Sequence, residues 1–168
     1  RGKPRMGVPF AGSTKFVAIG LNYADHAAET GSPIPKEPIV FHKTLSCMQG
    51  ASDDIMLPKN SVKTDWECEL GIVIGTRARY ATKKAALSHV AGYVLVKDVS
   101  EREWQQERGP TWDKGKGFDT FGPIGPWLAT ADEVARRRGE PLRALAAARS
   151  VGGGRGGPQQ AGGVARLL

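Results

Sequence analysis

Cysteine is scarce in this sequence: Cys47 and Cys68 are the only two in 168 residues, with 20 residues between them. Two isolated thiols at that spacing make neither a disulfide framework nor a zinc knuckle. Reduced thiols and a cytoplasmic location are therefore the expectation. Long apolar runs are also missing, since Phe16 to Leu21 and Leu70 to Ile74 are too short for a bilayer span or for the apolar part of a signal peptide. A membrane is not expected as a partner. Repeats of a fixed period are absent, which excludes solenoids and propellers. Acidic residues are rare at one end only: residues 135–168 hold seven Arg against one Glu, a balance of +6, and no aromatic side chain.

That imbalance explains the most conspicuous excess, a net charge of +7. The remaining 134 residues balance to +1, so the body is close to neutral and nucleic acid is disfavoured as its partner. Length fits one domain, and 40% hydrophobic residues supply a core.

Residues 1–14 carry three Gly and two Pro and read as an extended segment. The apolar runs 15–21, 39–43, 54–58, 64–75 and 91–96 read as strands. Residues 22–30 and 82–90 read as short helices, with a third expected at 100–108 because Ser100 and Glu103 have capping-box spacing. Three prolines in residues 31–38 make that stretch a loop. The run 118–130 reads as β-structure punctuated by Gly-Pro turns. Residues 135–168, rich in Arg, Gly and Ala, read as largely disordered.

The segment 64–75 carries the chemistry. Alternation along a strand puts Asp65, Glu67 and Glu69 on one face and Trp66, Cys68 and Leu70 on the other. Three carboxylates entering an apolar core repel one another, and a hard divalent cation relieves the conflict. A solvated acidic face on an edge strand is the alternative. Asp98 ends an apolar strand and could be a further ligand, a turn former or a helix cap. His26 and Glu29 stand three apart, as a general base and its orienting carboxylate would, or as a surface ion pair. His42 and His89, within or beside apolar strands, read as packed or hydrogen-bonded residues and not as ligands. The run from Gly115 to Gly122 lacks the spacing of a phosphate loop; Lys116 reads instead as a cation near an anionic group, with the Thr120 hydroxyl four residues on.

Taken in order, "GLNYADHAAETG", "PKEPIVFHK", "DWECELGIVIG", "AGYVLVKDVSERE" and "GKGFDTFGPIGPWL" resemble the fumarylacetoacetate hydrolase family, especially bacterial acylpyruvate hydrolases and hydroxy-diene-dioate isomerases. The resemblance runs from about Lys15 to Val134. It implies an α+β, mainly β fold, a mixed β-sandwich roll with short helices, usually dimeric. It implies Mg²⁺ or Mn²⁺ on Glu67, Glu69 and Asp98, with Thr120 beside the metal site. It further implies that His26 and Glu29 activate water, that Lys116 stabilises a developing enolate or oxyanion, and that Gln105 contacts an oxo-acid substrate. The implied activity is hydrolysis of a carbon–carbon bond in the catabolism of aromatic compounds, with isomerase, lyase or decarboxylase variants of the same chemistry.

Two departures from the family pattern stand out. Lys97 occupies the place where the family carries Asn before the ligand Asp. After Val134 the family's further strands and its Thr-Gly-Thr-Pro loop do not follow, so 135–168 is expected to be a truncation or frameshift product. The chain would then be an inactive or unstable form of the enzyme. A non-catalytic metal-binding or dimerisation fragment is the alternative function, and RNA binding through the basic tail a lesser one.

Overall fold

A computed structural model describes residues 2, 4–23, 28, 31–136 and 164–167. The helix expected at 22–30, with His26 and Glu29, lies outside the described residues apart from its first two positions and Ala28. Among the described residues no helix is long and apolar enough to cross a membrane.

The strands are β1 (Val17–Gly20), β2 (Ile39–His42), β3 (Met48–Gly50), β4 (Thr64–Asp65), β5 (Cys68–Ile74), β6 (Val90–Lys97), β7 (Ser100–Glu101), β8 (Gly122–Ile124), β9 (Ala129–Thr130) and β10 (Val164–Leu167). The main sheet is mixed, in the order β2-β1-β10-β5-β6-β8-β3, with β9 also on β6. β4 and β7 form a separate two-stranded ribbon. Among the described residues, helical structure is confined to short turns, including Leu45–Cys47, Glu103–Glu107, Asp113–Lys116 and Ala131–Arg136. The expected mainly-β class with short helices is what the structure shows.

β5 and β6 are the longest pair, running antiparallel from Cys68 opposite Lys97 to Ile74 opposite Val90. Their alternation buries Gly71 and Val73 on β5 and Val94 and Val96 on β6, against Phe16, Cys47, Val99, Phe121 and Ile124. Val8 and Phe10 of the N-terminal segment pack on this core, and Arg5 binds Asp53 through two hydrogen bonds of 2.7 and 2.5 Å. The extended segment is thus laid along the domain. Burial pushes the Cys47 thiol up to about 11, so it behaves as a packed apolar group.

Several expected elements differ. Residues 54–58 form no strand: the Met56 N–H is given to Thr120 Oγ1, and Gln49 Nε2 donates to Asp54 O, so side chains take the place of a ladder. The run 64–75 is interrupted at Trp66 and Glu67, between β4 and β5. The helix expected at 82–90 shrinks to one 3-10 turn, Ala86–His89. The Ser100 capping box does not form, because Ser100 lies in β7 and its hydroxyl donates to Asp98 O. Glu101 caps the Glu103–Glu107 turn instead, its Oε2 accepting the Trp104 N–H. Within the stretch expected to be largely disordered, Val164–Leu167 pair antiparallel with β1 and parallel with β5 and so occupy the strand edges between them. Residues 137–163 lie outside the described residues.

Candidate active site

Alternation along β5 does what the sequence implies. Glu69 of β5 turns inward with Gly71 and Val73, and Glu67, just before the strand, is buried as well, while Trp66 is exposed. Asp98 follows the last residue of β6, and its backbone N–H donates to Glu67 O at 2.9 Å. That bond fixes the end of β6 beside the start of β5. Three buried carboxylates, Glu67, Glu69 and Asp98, therefore gather at one end of the central strand pair. Asp65 stays at the rim, where it pairs with Arg102.

Three cations face them. The Lys116 ammonium donates to Asp98 Oδ2 at 2.8 Å and to Glu67 Oε1 and Oε2 at 3.2 and 3.3 Å. Lys43, whose side chain is 0% exposed, donates to Asp98 Oδ1 at 2.7 Å, to Val99 O at 3.1 Å and to Lys116 O. Arg102 donates to Glu67 Oε1 at 2.5 Å, to Asp65 Oδ2 at 2.7 and 3.1 Å, and to Gln105 Oε1 at 2.9 Å. Burial by itself would raise the Asp98 carboxyl, but Lys116 and Lys43 together hold it below its ordinary value. Burial alone would weaken the charge on the Arg102 guanidinium, but Glu67 and Asp65 outweigh it and hold the group more firmly charged than usual.

Glu69 is different. It is 4% exposed, and Oε2 is the one buried side-chain polar atom without a hydrogen-bond partner among the described residues. Burial first, then the charges of Glu67 and Asp98, push its carboxyl up to about 9. A buried oxygen with no donor, in an all-oxygen set of three carboxylates, suits a hard divalent cation. As they stand, no three of the described His, Cys, Asp and Glu side chains are arranged to hold a metal. The Lys116 ammonium lies between Glu67 and Asp98 instead.

Of the residues singled out from the sequence, Glu67, Glu69, Asp98, Lys116 and Gln105 converge here, Gln105 through Arg102. Thr120 has φ +68, a left-handed conformation that is costly for a β-branched residue, and its hydroxyl accepts the Met56 N–H at 2.8 Å. That bond ties Thr120 to the loop 54–58 and not to a carboxylate of the cluster. Lys97 points away from the site, with its ammonium 5.4 Å from the centre of the exposed Trp66 ring. His42 is exposed, and its backbone N–H donates to Asp113 Oδ1 at 2.8 Å. His89 shares a 3.2 Å hydrogen bond with Thr76 Oγ1. Both are thus held by polar contacts outside the core, the hydrogen-bonded form of the expectation.

Lys43 and Arg102 were not expected from the sequence. A signal for Lys43 exists, because the alternation that buries Phe41 on β2 also turns inward the residue two positions on.

The turn bearing Lys116 is seated by Gly115. A Cβ there would lie 2.5 Å from Gln105 N and 2.7 Å from Gln105 Cα, so the Asp113–Lys116 and Glu103–Glu107 turns touch backbone to backbone. Gly115→Ala is expected to cost roughly 1–3 kcal/mol through overpacking, read as a lowered thermal midpoint. An unchanged midpoint would show that the two turns separate freely.

Residues 15–155 match the pattern of the fumarylacetoacetate hydrolase C-terminal domain, a stretch that continues beyond Val134. A Burkholderia ambifaria protein, provisionally named a hydrolase, is 64% identical over 133 residues, covering 79% of this chain and 47% of its own length. The chain thus spans about half the length of the curated relatives it matches. Among solved structures, 5-carboxymethyl-2-hydroxymuconate delta-isomerase from Mycobacterium smegmatis superposes with TM-score 0.66 at 37% identity, covering 76% of this chain and 50% of that one. Fumarylacetoacetate hydrolase from Exiguobacterium antarcticum gives TM-score 0.65 at 34% identity, covering 75% and 46%. The buried cluster of Glu67, Glu69 and Asp98 thus lies within a match that covers most of the described residues, and the chain belongs to the fumarylacetoacetate hydrolase family.

Proposed function

We propose that the chain is a metal-assisted catalytic domain of hydrolase or isomerase type acting on acylpyruvate-like or oxo-dicarboxylate substrates, with Glu67, Glu69 and Asp98 as the metal ligands. The observation that carries this reading is the buried carboxylate trio with Glu69 Oε2 unpartnered. Mg²⁺ or Mn²⁺ on these oxygens would supply Lewis-acid polarisation of the substrate's carboxylate and α-oxo oxygens.

The chain's own groups supply the rest. Lys116, almost fully buried, donates to the oxygen on which negative charge develops, where exclusion of water makes such a contact strong. Arg102 holds Gln105 by its carbonyl oxygen, which turns the amide NH₂ into the end that meets a substrate oxygen. His26, with Glu29, would serve as the base that takes a proton from water as that water attacks the distal carbonyl. The carbon–carbon bond breaks, its electron pair leaves as an enolate, and protonation of the enolate completes hydrolysis. Holding an enolate without the attack of water would give isomerisation.

The test follows the absorbance of an acylpyruvate with Mg²⁺ or Mn²⁺ present or removed by chelation. Metal-dependent loss of absorbance is expected, abolished in Glu67→Ala. Activity that survives in Glu67→Ala would contradict the ligand assignment. Metal binding without turnover would favour a binding fragment with an incomplete pocket.

A further inference from the structure

Lys116 stands at the last position of its helical turn, and its side chain is 3% exposed. Its ammonium bridges Asp98 Oδ2 at 2.8 Å and both oxygens of Glu67 at 3.2 and 3.3 Å. These are two of the three carboxylates proposed as metal ligands. The third, Glu69, keeps an oxygen that no donor reaches. Among the described residues no three His, Cys, Asp or Glu side chains stand grouped to hold a metal, and the ammonium sits between two of these carboxylates. An ammonium and a divalent ion compete for the same lone pairs, and each repels the other at contact distance.

We propose that Lys116 is a built-in counter-cation of this site, neutralising Glu67 and Asp98 in the metal-free protein, and that a divalent ion binds by displacing the Lys116 ammonium from between them. The inference rests on the metal-site reading above. Displacement involves the side chain and not the turn, because Lys43 independently holds the Lys116 carbonyl and Asp98 Oδ1. Metal loading thereby has a second effect: it frees the ammonium that the reaction needs for the substrate oxygen. Loading and arming of the lysine become one event, and the metal-free site keeps its cation sequestered.

The experiment is a Mn²⁺ titration of the full chain followed by electron paramagnetic resonance, comparing the unsubstituted protein with Lys116→Met and Lys116→Gln. Thermal unfolding is recorded with and without Mn²⁺. Lys116→Met is expected to bind Mn²⁺ more tightly by at least about tenfold (~1.4 kcal/mol). Its metal-free form should melt below the unsubstituted protein and gain more from Mn²⁺. A variant that folds only with Mn²⁺ present gives the same answer. Equal or weaker Mn²⁺ affinity in both variants, while the unsubstituted protein binds, overturns the inference and leaves the metal site standing. Variants that stay unfolded at saturating Mn²⁺ overturn it too, since metal and ammonium would not be interchangeable. No Mn²⁺ binding in any of the three proteins overturns the metal site and this inference together.

Discussion

Between pH 4.5 and about 9 the metal-free chain is expected to lose stability steadily as the pH rises, and Glu69→Gln is expected to remove most of that slope. The carboxyl of Glu69 titrates near 4.5 in an unfolded chain and near 9 in the fold. Across that window the folded state keeps a proton that the unfolded state has released, so raising the pH favours unfolding. The contribution is fully present below pH 4.5 and exhausted above about 9. At 1.36 kcal/mol per pH unit the window amounts to something on the order of 5 kcal/mol, a large part of a small domain's stability. Gln is close in shape to the protonated acid and has nothing to ionise, so its stability curve should run nearly flat through the same range. Urea midpoints at pH 5, 7 and 8.5 for both proteins check this. Parallel pH dependence would mean that Glu69 is solvated or paired.

Lys43→Met is expected to destabilise the fold by about 3–5 kcal/mol, the usual cost of leaving one half of a buried ion pair. The ammonium has three N–H donors, and all three are used, on Asp98 Oδ1, Val99 O and Lys116 O. One side chain thus ties the end of β2 to the end of β6 and to the turn bearing Lys116. Methionine fills the channel but leaves two carbonyls and a carboxylate oxygen without donors. The loss should appear as a lower urea midpoint with an unchanged slope, since the exposed area on unfolding stays the same. A midpoint within error of the unsubstituted protein would show that water replaces the ammonium there, and that the buried placement of Lys43 does not carry the site.

The acidic row was legible in the sequence because it depends on a local rule. Alternation along a strand fixes which side Glu67 and Glu69 share, and the apolar continuation through Val73 says that side is buried. The brief interruption at Trp66 and Glu67 did not disturb that inward facing. Asp98 was legible as the end of an apolar strand, though its meeting with Glu67 depends on the pairing of β5 with β6, which no local rule fixes. Lys116 and Gln105 owed their expected roles to family resemblance; the structure adds that Arg102 couples Gln105 to Glu67.

Lys43 shows what the local reading lacked. It partners a residue 55 positions away and a carbonyl 73 positions away, and the sequence marks neither contact. Residues 54–58 show the opposite failure. Their apolar composition suggests a strand, yet a strand needs a neighbour, and the Met56 N–H bonds the Thr120 hydroxyl instead. The short strand Val164–Leu167 was missed for a related reason. Its pairing is supplied by the edges of β1 and β5, which outweigh the composition of the segment around it.

The central claim is that Glu67, Glu69 and Asp98 together hold a divalent cation. Anomalous X-ray scattering from crystals of the full chain grown with Mn²⁺ tests it most directly. One strong anomalous peak within bonding distance of all three carboxylates, with the Lys116 ammonium withdrawn from between Glu67 and Asp98, is the expected result. A peak at other residues, or none at saturating Mn²⁺ with Lys116 still bridging Glu67 and Asp98, would contradict it.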